Sequence, residues 1–162
     1  MRFILVDRIE ELKTASWAKG VKCISMTDEI FNDHFPGYPI MPGSLIMEGL
    51  AQLSGVLFEY SLITMGHTHK RPVLTLVNKM KFRRFAHPGD KLDYHCSVKL
   101  FYHDEYAVAT VTAKCNEKVY AEGELLFGFA DILDEKLMKI SAEALENVLK
   151  NTKIIASDES HI

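Results

Sequence analysis

Cysteine is scarce in this sequence and follows no pattern. Cys23, Cys96 and Cys115 stand far apart, with no CxxC pair and no zinc-site spacing. A disulfide framework and a cysteine-built metal site are therefore excluded. The expected state is three reduced, half-buried strand thiols of a cytoplasmic protein, with a reactive thiol as the alternative. Long hydrophobic runs are also missing. The opening MRFILVDRIEELK holds four consecutive apolar residues before Asp7, too few for a signal peptide or a membrane span. The apolar stretch from Met41 to Met65 is interrupted by Glu48, Gln52 and Glu59, which suits a core helix better than a bilayer. Neither sign of charge dominates: 19 Lys and Arg stand against 22 Asp and Glu, a net charge of −3. Nonspecific nucleic-acid binding needs a strong basic excess and is not expected. Repeats and low-complexity segments are absent, so solenoid and array folds are excluded.

What remains is a chain of 162 residues, enough for one self-sufficient core. Residues 21–27 have strand composition, and residues 44–65 read as one long helix, apolar on nearly every face and so buried. Gly49 and Gly55 within it imply that something packs close to its backbone. From residue 72 the character turns to β: PVLTLVNKMKFRRF, KLDYHCSVKLFYH, EYAVATVTAKCNE and KVYAEGELLFGFA, joined by short turns that imply antiparallel pairing. AVATVTAK carries no large side chain, as a strand pressed against a bulky helix requires. The expected fold is α+β, an antiparallel sheet of five or more strands curled around one long central helix.

Residues 1–130 form the expected domain. Residues 131–162 are a C-terminal extension that carries the whole −3. The spacing predicts a short amphipathic helix over ISAEALENVLKN, with Ser141 placed to cap it, and a disordered end, TKIIASDESHI.

One stretch is chemically unusual. HFPGYPIMPGSLIMEGLAQ, residues 34–52, places three of the chain's five prolines within seven residues, then runs into the helix. The prolines fix the backbone around His34. The amides from Gly43 onward lack intrahelical partners and lie at the positive end of the helix dipole, where they can receive a carbonyl oxygen as negative charge builds on it. Glu48 has Ala51 and Gln52 one turn on, and no cation. A carboxyl placed so must protonate or find a polar cavity. A stiff His, a developing-anion hole and such a carboxyl suit proton removal beside a carbonyl with expulsion of a β-hydroxyl.

That stretch resembles the signature of the 3-hydroxyacyl-acyl carrier protein dehydratases of fatty-acid synthesis, a hot-dog-fold family. The likeness extends to FILVDRI at 3–9, MKFRRFAHPGDKL at 80–92 and AEGEL at 121–125, and covers residues 1–130. The resemblance implies that His34 is the catalytic histidine, Glu48 the catalytic carboxylate and Gly43 the donor of the N–H that polarises the thioester carbonyl, with Phe35, Pro42 and Ser44 at the substrate. It implies a site shared by two subunits, so a homodimer as the minimal unit, with a trimer of dimers as a further assembly. It implies no metal and no redox cofactor, the acyl group arriving on the phosphopantetheine of acyl carrier protein. Three departures stand out. The family's frequent lead before the N-terminal phrase is missing. Ser44 replaces an apolar residue, and is read here as a helix cap. The acidic extension is additional. Glu rather than Asp at position 48 fits the plain dehydratase branch rather than the isomerising one. A hot-dog acyl thioesterase and a non-catalytic acyl-carrier-binding module are the alternatives.

Lys79, Lys81, Arg83 and Arg84 form a basic run, either a solvated strand face or a docking surface for an acidic carrier protein, with Lys70 and Arg71 adding to it if near. His67-Thr68-His69 has a chelating form, but no third ligand at zinc spacing accompanies it, so no metal is expected. His87 and His103 sit in turns and should face solvent. Tyr60, Phe82 and Phe85 read as core residues, with an acyl tunnel lining as the alternative.

Overall fold

The structure, a computed structural model, describes residues 3–156. The chain runs β1 (Arg8–Lys13), β2 (Trp17–Cys23), a 3-10 turn (Glu29–Asn32), α1 (Gly43–Thr64), β3 (Lys70–Phe82), β4 (Lys91–Tyr102), β5 (Tyr106–Cys115), β6 (Lys118–Asp131), α2 (Glu135–Leu149) and β7 (Lys153–Ile155). All seven strands form one sheet in the order β3-β6-β5-β4-β2-β1-β7. Every pairing is antiparallel except that of β7 with β1. Helix α1 lies against the sheet and contacts β1 through β6, so the α+β expectation holds.

The core forms where the two periodicities meet. From α1, Leu50, Leu53, Leu57, Phe58 and Leu62 are fully buried, each contributing about 1.5–3 kcal/mol of transfer free energy. From β5, alternate residues Ala107, Ala109, Val111 and Ala113 are also fully buried. Small side chains there let the helix approach, and Phe58 fills the space against Phe101, Phe127 and Phe129. Polar side chains within α1 are satisfied locally: Ser54 donates to the Leu50 carbonyl, and Ser61 donates to Leu57 while accepting from the Ala15 amide. The close approach expected at the two glycines is real at only one. A Cβ on Gly49 would lie 2.7 Å from the Leu5 carbonyl and 2.6 Å from the Tyr94 ring. A Cβ on Gly55 would meet nothing nearer than Phe127 at 3.9 Å.

Strand β1 was not legible as a strand, because a bulge between Ile9 and Glu11 shifts its register. Its buried residues, Ile9 and Leu12, therefore fall three apart rather than two.

The extension departs most from expectation. Helix α2 starts six residues before Ser141 and is capped by Asp134, whose carboxylate accepts from the Lys136 and Leu137 amides. Ser141 instead lies within the helix, where its hydroxyl accepts from Arg71 Nε (2.7 Å) and donates to Glu59 (3.0 Å). Residues 153–155, expected to be disordered, add strand β7 to the sheet edge. Residues 157–162 of the expected disordered end lie outside the described residues.

Candidate active site

The site begins with the loop between the 3-10 turn and α1. Phe35, Pro36, Gly37 and Tyr38 make a tight turn closed by reciprocal backbone bonds between Phe35 and Tyr38 (3.1 and 2.9 Å). Pro36 supplies the fixed φ, and Gly37 adopts φ of +77°, which a side chain disfavours. The His34–Phe35 peptide is cis. Outside the turn, the Ile40 amide donates to the His34 carbonyl (3.0 Å), and the Met41 amide donates to Ala86 (2.8 Å).

His34 is oriented by this loop. Its Nδ1 lies 2.8 Å from the Ile40 carbonyl. A carbonyl only accepts, so Nδ1 carries the proton and Nε2 presents its lone pair. The ring stacks on Phe35, centroids 4.2 Å apart, while Phe35 and Tyr38 are exposed. His87, expected to face solvent, is half-buried and latches the same loop: its Nδ1 donates to the Pro39 carbonyl (2.9 Å), and Tyr38 meets its ring edge-on. No motif in the sequence marked that role, because the contact joins residues 48 positions apart.

Helix α1 starts immediately after the loop. Its N-cap is the buried Pro42, and no side chain caps it. Ser44 is exposed and does not act as the cap expected of it. The Gly43 and Ser44 amides have no carbonyl one turn back to bond, and the dipole makes this end positive. Gly43 has a second reason to be glycine, since a Cβ there would lie 2.8 Å from the Phe82 ring. Phe82 and Phe85 are 51% and 68% exposed, so the core placement expected of them is wrong. Tyr60 does pack against the core.

Glu48 is half-buried rather than sealed in grease. Gln52, one turn on, donates to its carboxylate (3.1 Å) and to the Phe3 carbonyl (3.2 Å), and accepts from the Leu5 amide (2.9 Å). The N-terminal segment thus fixes Gln52, and Gln52 fixes Glu48, a positioning role the sequence reading did not assign. Gln52 also lines a cavity of about 570 Å³, with Gly55, Val56 and Glu59 of α1 on one side and Asn147, Val148 and Asn151 beyond. Behind Gly49 the Tyr94 hydroxyl is buried, with no hydrogen-bond partner among the described residues. Burial, then the charge of Asp7, pushes its pKa well above the usual phenol value.

The structure joins His34, Pro42 and Gly43 through one short loop and sets Glu48 on the next turns of the helix. Among the described residues of one chain, the main cavities include none lined by both His34 and Glu48.

The basic run is divided. Lys79, Lys81, Arg83 and Arg84 are all exposed. Arg83 Nε pairs with Glu122 (2.8 Å), and Arg84 donates to the Val119 carbonyl (3.1 Å). Lys79 lies in a bulge with φ of +53°. Lys70 and Arg71 do not join them. Both are buried: Lys70 pairs with Asp131 (3.3 Å), and Arg71 pairs with Glu59 (3.1 Å) and Ser141. The cysteines also divide: Cys23 is exposed, while Cys96 and Cys115 are buried. Burial pushes the Cys96 thiol up to about 12, which makes it inert. Among the described residues, no helix is long and apolar enough to cross a membrane.

The comparisons with known proteins agree with this fold. Residues 1–126 match the model of the FabA-like domain. The 3-hydroxyacyl-[acyl-carrier-protein] dehydratase FabZ of Campylobacter lari is 48% identical over 97 residues, 59% of this chain and 66% of that protein. The chain therefore matches just under two thirds of that relative's length. The protein of the same name from Fusobacterium nucleatum is 39% identical over 131 residues, 80% of this chain and 89% of that one. Among solved structures, a hot-dog-like protein from Thermanaerovibrio acidaminovorans superimposes with a TM-score of 0.60 at 14% identity, covering 81% of this chain and 90% of that chain. The fold is thus the hot-dog fold, and by sequence the chain belongs to the FabA-like domain family, alongside the FabZ dehydratases.

Proposed function

We propose that this protein reversibly dehydrates (3R)-3-hydroxyacyl-acyl carrier protein to the trans-2-enoyl thioester in fatty-acid biosynthesis, as a hydro-lyase. The carrying observation is the Nδ1–H of His34 donated to the Ile40 carbonyl, which leaves Nε2 as an oriented base. His34 Nε2 takes the C2 proton. The Gly43 N–H, at the positive helix end, holds the thioester oxygen as charge develops on it. Glu48 of the partner subunit protonates the 3-hydroxyl, which leaves as water. The proton on His34 then returns to Glu48 through solvent, so the cycle closes without net proton change. The thioester itself acidifies C2, and the chemistry asks the protein for neither a metal nor a redox cofactor.

The shared site needs a dimer. Strand β3 is a sheet edge, and Val73, Leu76 and Val77 on it are exposed. An apolar open edge favours pairing with a second copy. We place the enzyme in the cytoplasm as a homodimer or a trimer of dimers. Lys79, Lys81, Arg83 and Arg84 form the docking face for the acidic carrier, with Phe35, Pro42 and Ser44 at the mouth.

The test is a series of 3-hydroxyacyl carrier-protein substrates of increasing chain length, with wild type beside His34→Ala. Water loss giving enoyl product, falling by about 10²–10⁴ in the variant, supports the reading. Thiol release without water loss would make the protein a thioesterase. Full activity in His34→Ala would remove His34 from the chemistry.

A further inference from the structure

The far end of α1 assembles a second chemical group. The helix ends in a Schellman motif: Gly66 takes φ of +91° and donates to the Ile63 carbonyl (3.0 Å), and His67 donates back to Leu62 (2.8 Å). His67 is therefore held by backbone, three residues past Thr64, the last residue of the helix. Facing it is the turn between β4 and β5, whose central residues are His103 and Asp104. That turn is closed by Glu105 N–H to the Tyr102 carbonyl (2.9 Å) and tied to β6 by Phe129 N–H to Glu105 (3.1 Å). Two fixed backbones thus present two imidazoles and a carboxylate to each other. The rings of His67 and His103 stack with centroids 4.5 Å apart. His103 Nδ1 lies 3.1 Å from Asp104 Oδ1. One donor atom from each of the three residues lies within 4.8 Å of the others.

We propose that His67, His103 and Asp104 bind one divalent transition ion of the zinc type, with water completing its shell, and that the ion clamps the end of α1 to the β4–β5 turn. Two imidazoles and a carboxylate are donors that zinc accepts at about 2.0–2.2 Å, which sets tetrahedral donors roughly 3.3–3.5 Å apart. The His103 and Asp104 side chains are exposed, so a change of rotamer is open to them in drawing the donors from within 4.8 Å to that spacing. His69 is not a ligand. Its Nε2 faces Asp131 (3.6 Å), so the chelating form of His67-Thr68-His69 is not what builds the site. The true partner of His67 is 36 residues away in sequence, which is why ligand spacing did not show it. The site stands apart from His34 and Glu48 and does not depend on the dehydratase reading.

The test is a zinc titration of the full chain against a chromophoric chelator at neutral pH, in a Cys23→Ser background that removes the exposed thiol. One equivalent is expected at micromolar affinity or tighter. His67→Ala and His103→Ala should each weaken it by about tenfold or more, Asp104→Asn by less, and His69→Ala should leave it unchanged. Zinc should also raise the Tm of the parent but not of the His67→Ala/His103→Ala protein, whose far-UV circular dichroism shows whether it is folded. Absence of saturable binding at micromolar zinc, or parental affinity in the folded double variant, would overturn the proposal.

Discussion

The two halves of α1 are held in opposite ways. Its N-terminal end is rigid through backbone: prolines, a closed turn and two latches onto residues 86 and 87. The side chains there are left open, with Phe35, Tyr38, Phe82 and Phe85 exposed. The C-terminal half, beyond the backbone bonds that close its last turn, is fastened to other elements by side chains. Glu59 of α1, Arg71 of β3 and Ser141 of α2 meet in one largely buried cluster that fastens the extension to the core. One end is stiff yet unfinished, as a site awaiting a substrate and a second subunit would be. The other is closed by the chain itself, with charge that stabilises structure rather than chemistry.

Exchanging the damage between the two ends breaks the comparison most sharply. Glu48→Gln should lower dehydration by about 10²–10³ while changing stability by less than about 0.5 kcal/mol in urea titration. Arg71→Ala should do the reverse. It strands Glu59, itself 17% exposed, and should cost about 2–4 kcal/mol, while the folded fraction keeps its turnover. At the site, Gly43→Ala puts a methyl 2.8 Å from Phe82 and should cost about tenfold in kcat/KM, with Phe82→Ala recovering most of it in a double-mutant cycle. The smallest effect belongs to Tyr94→Phe. Its hydroxyl has no partner among the described residues, so thermal melting should show a Tm unchanged or slightly raised.

Much of this was legible in the sequence for physical reasons. The long helix announced itself by apolar residues on every face, and β5 by its small alternating ones. The stiffness of the His34 loop followed from its prolines. What escaped were contacts made across the chain. Arg71 read as surface charge because its partners, Glu59 and Ser141, lie 12 and 70 positions away. Ser141 read as a cap because a serine before ISAEALENVLKN's acidic turn has the cap pattern, whereas Asp134, seven residues earlier, is the residue whose carboxylate accepts from the first-turn amides. Strand β7 is three residues long, too short for any periodicity, and forms because β1 offers it an edge. His87 and Gln52 lie within the two family-like segments, yet their roles were not legible there, because each is given its role only by the backbone carbonyl or carboxylate it reaches.

The central claim is that His34 of one subunit works with Glu48 of another. It is tested most directly by mixing two inactive proteins, His34→Ala and Glu48→Gln, under conditions where subunits exchange. Each mixed dimer rebuilds one intact site, so activity should return to about a quarter of the wild-type level. No recovery, with exchange verified by differently tagged chains, would contradict the account.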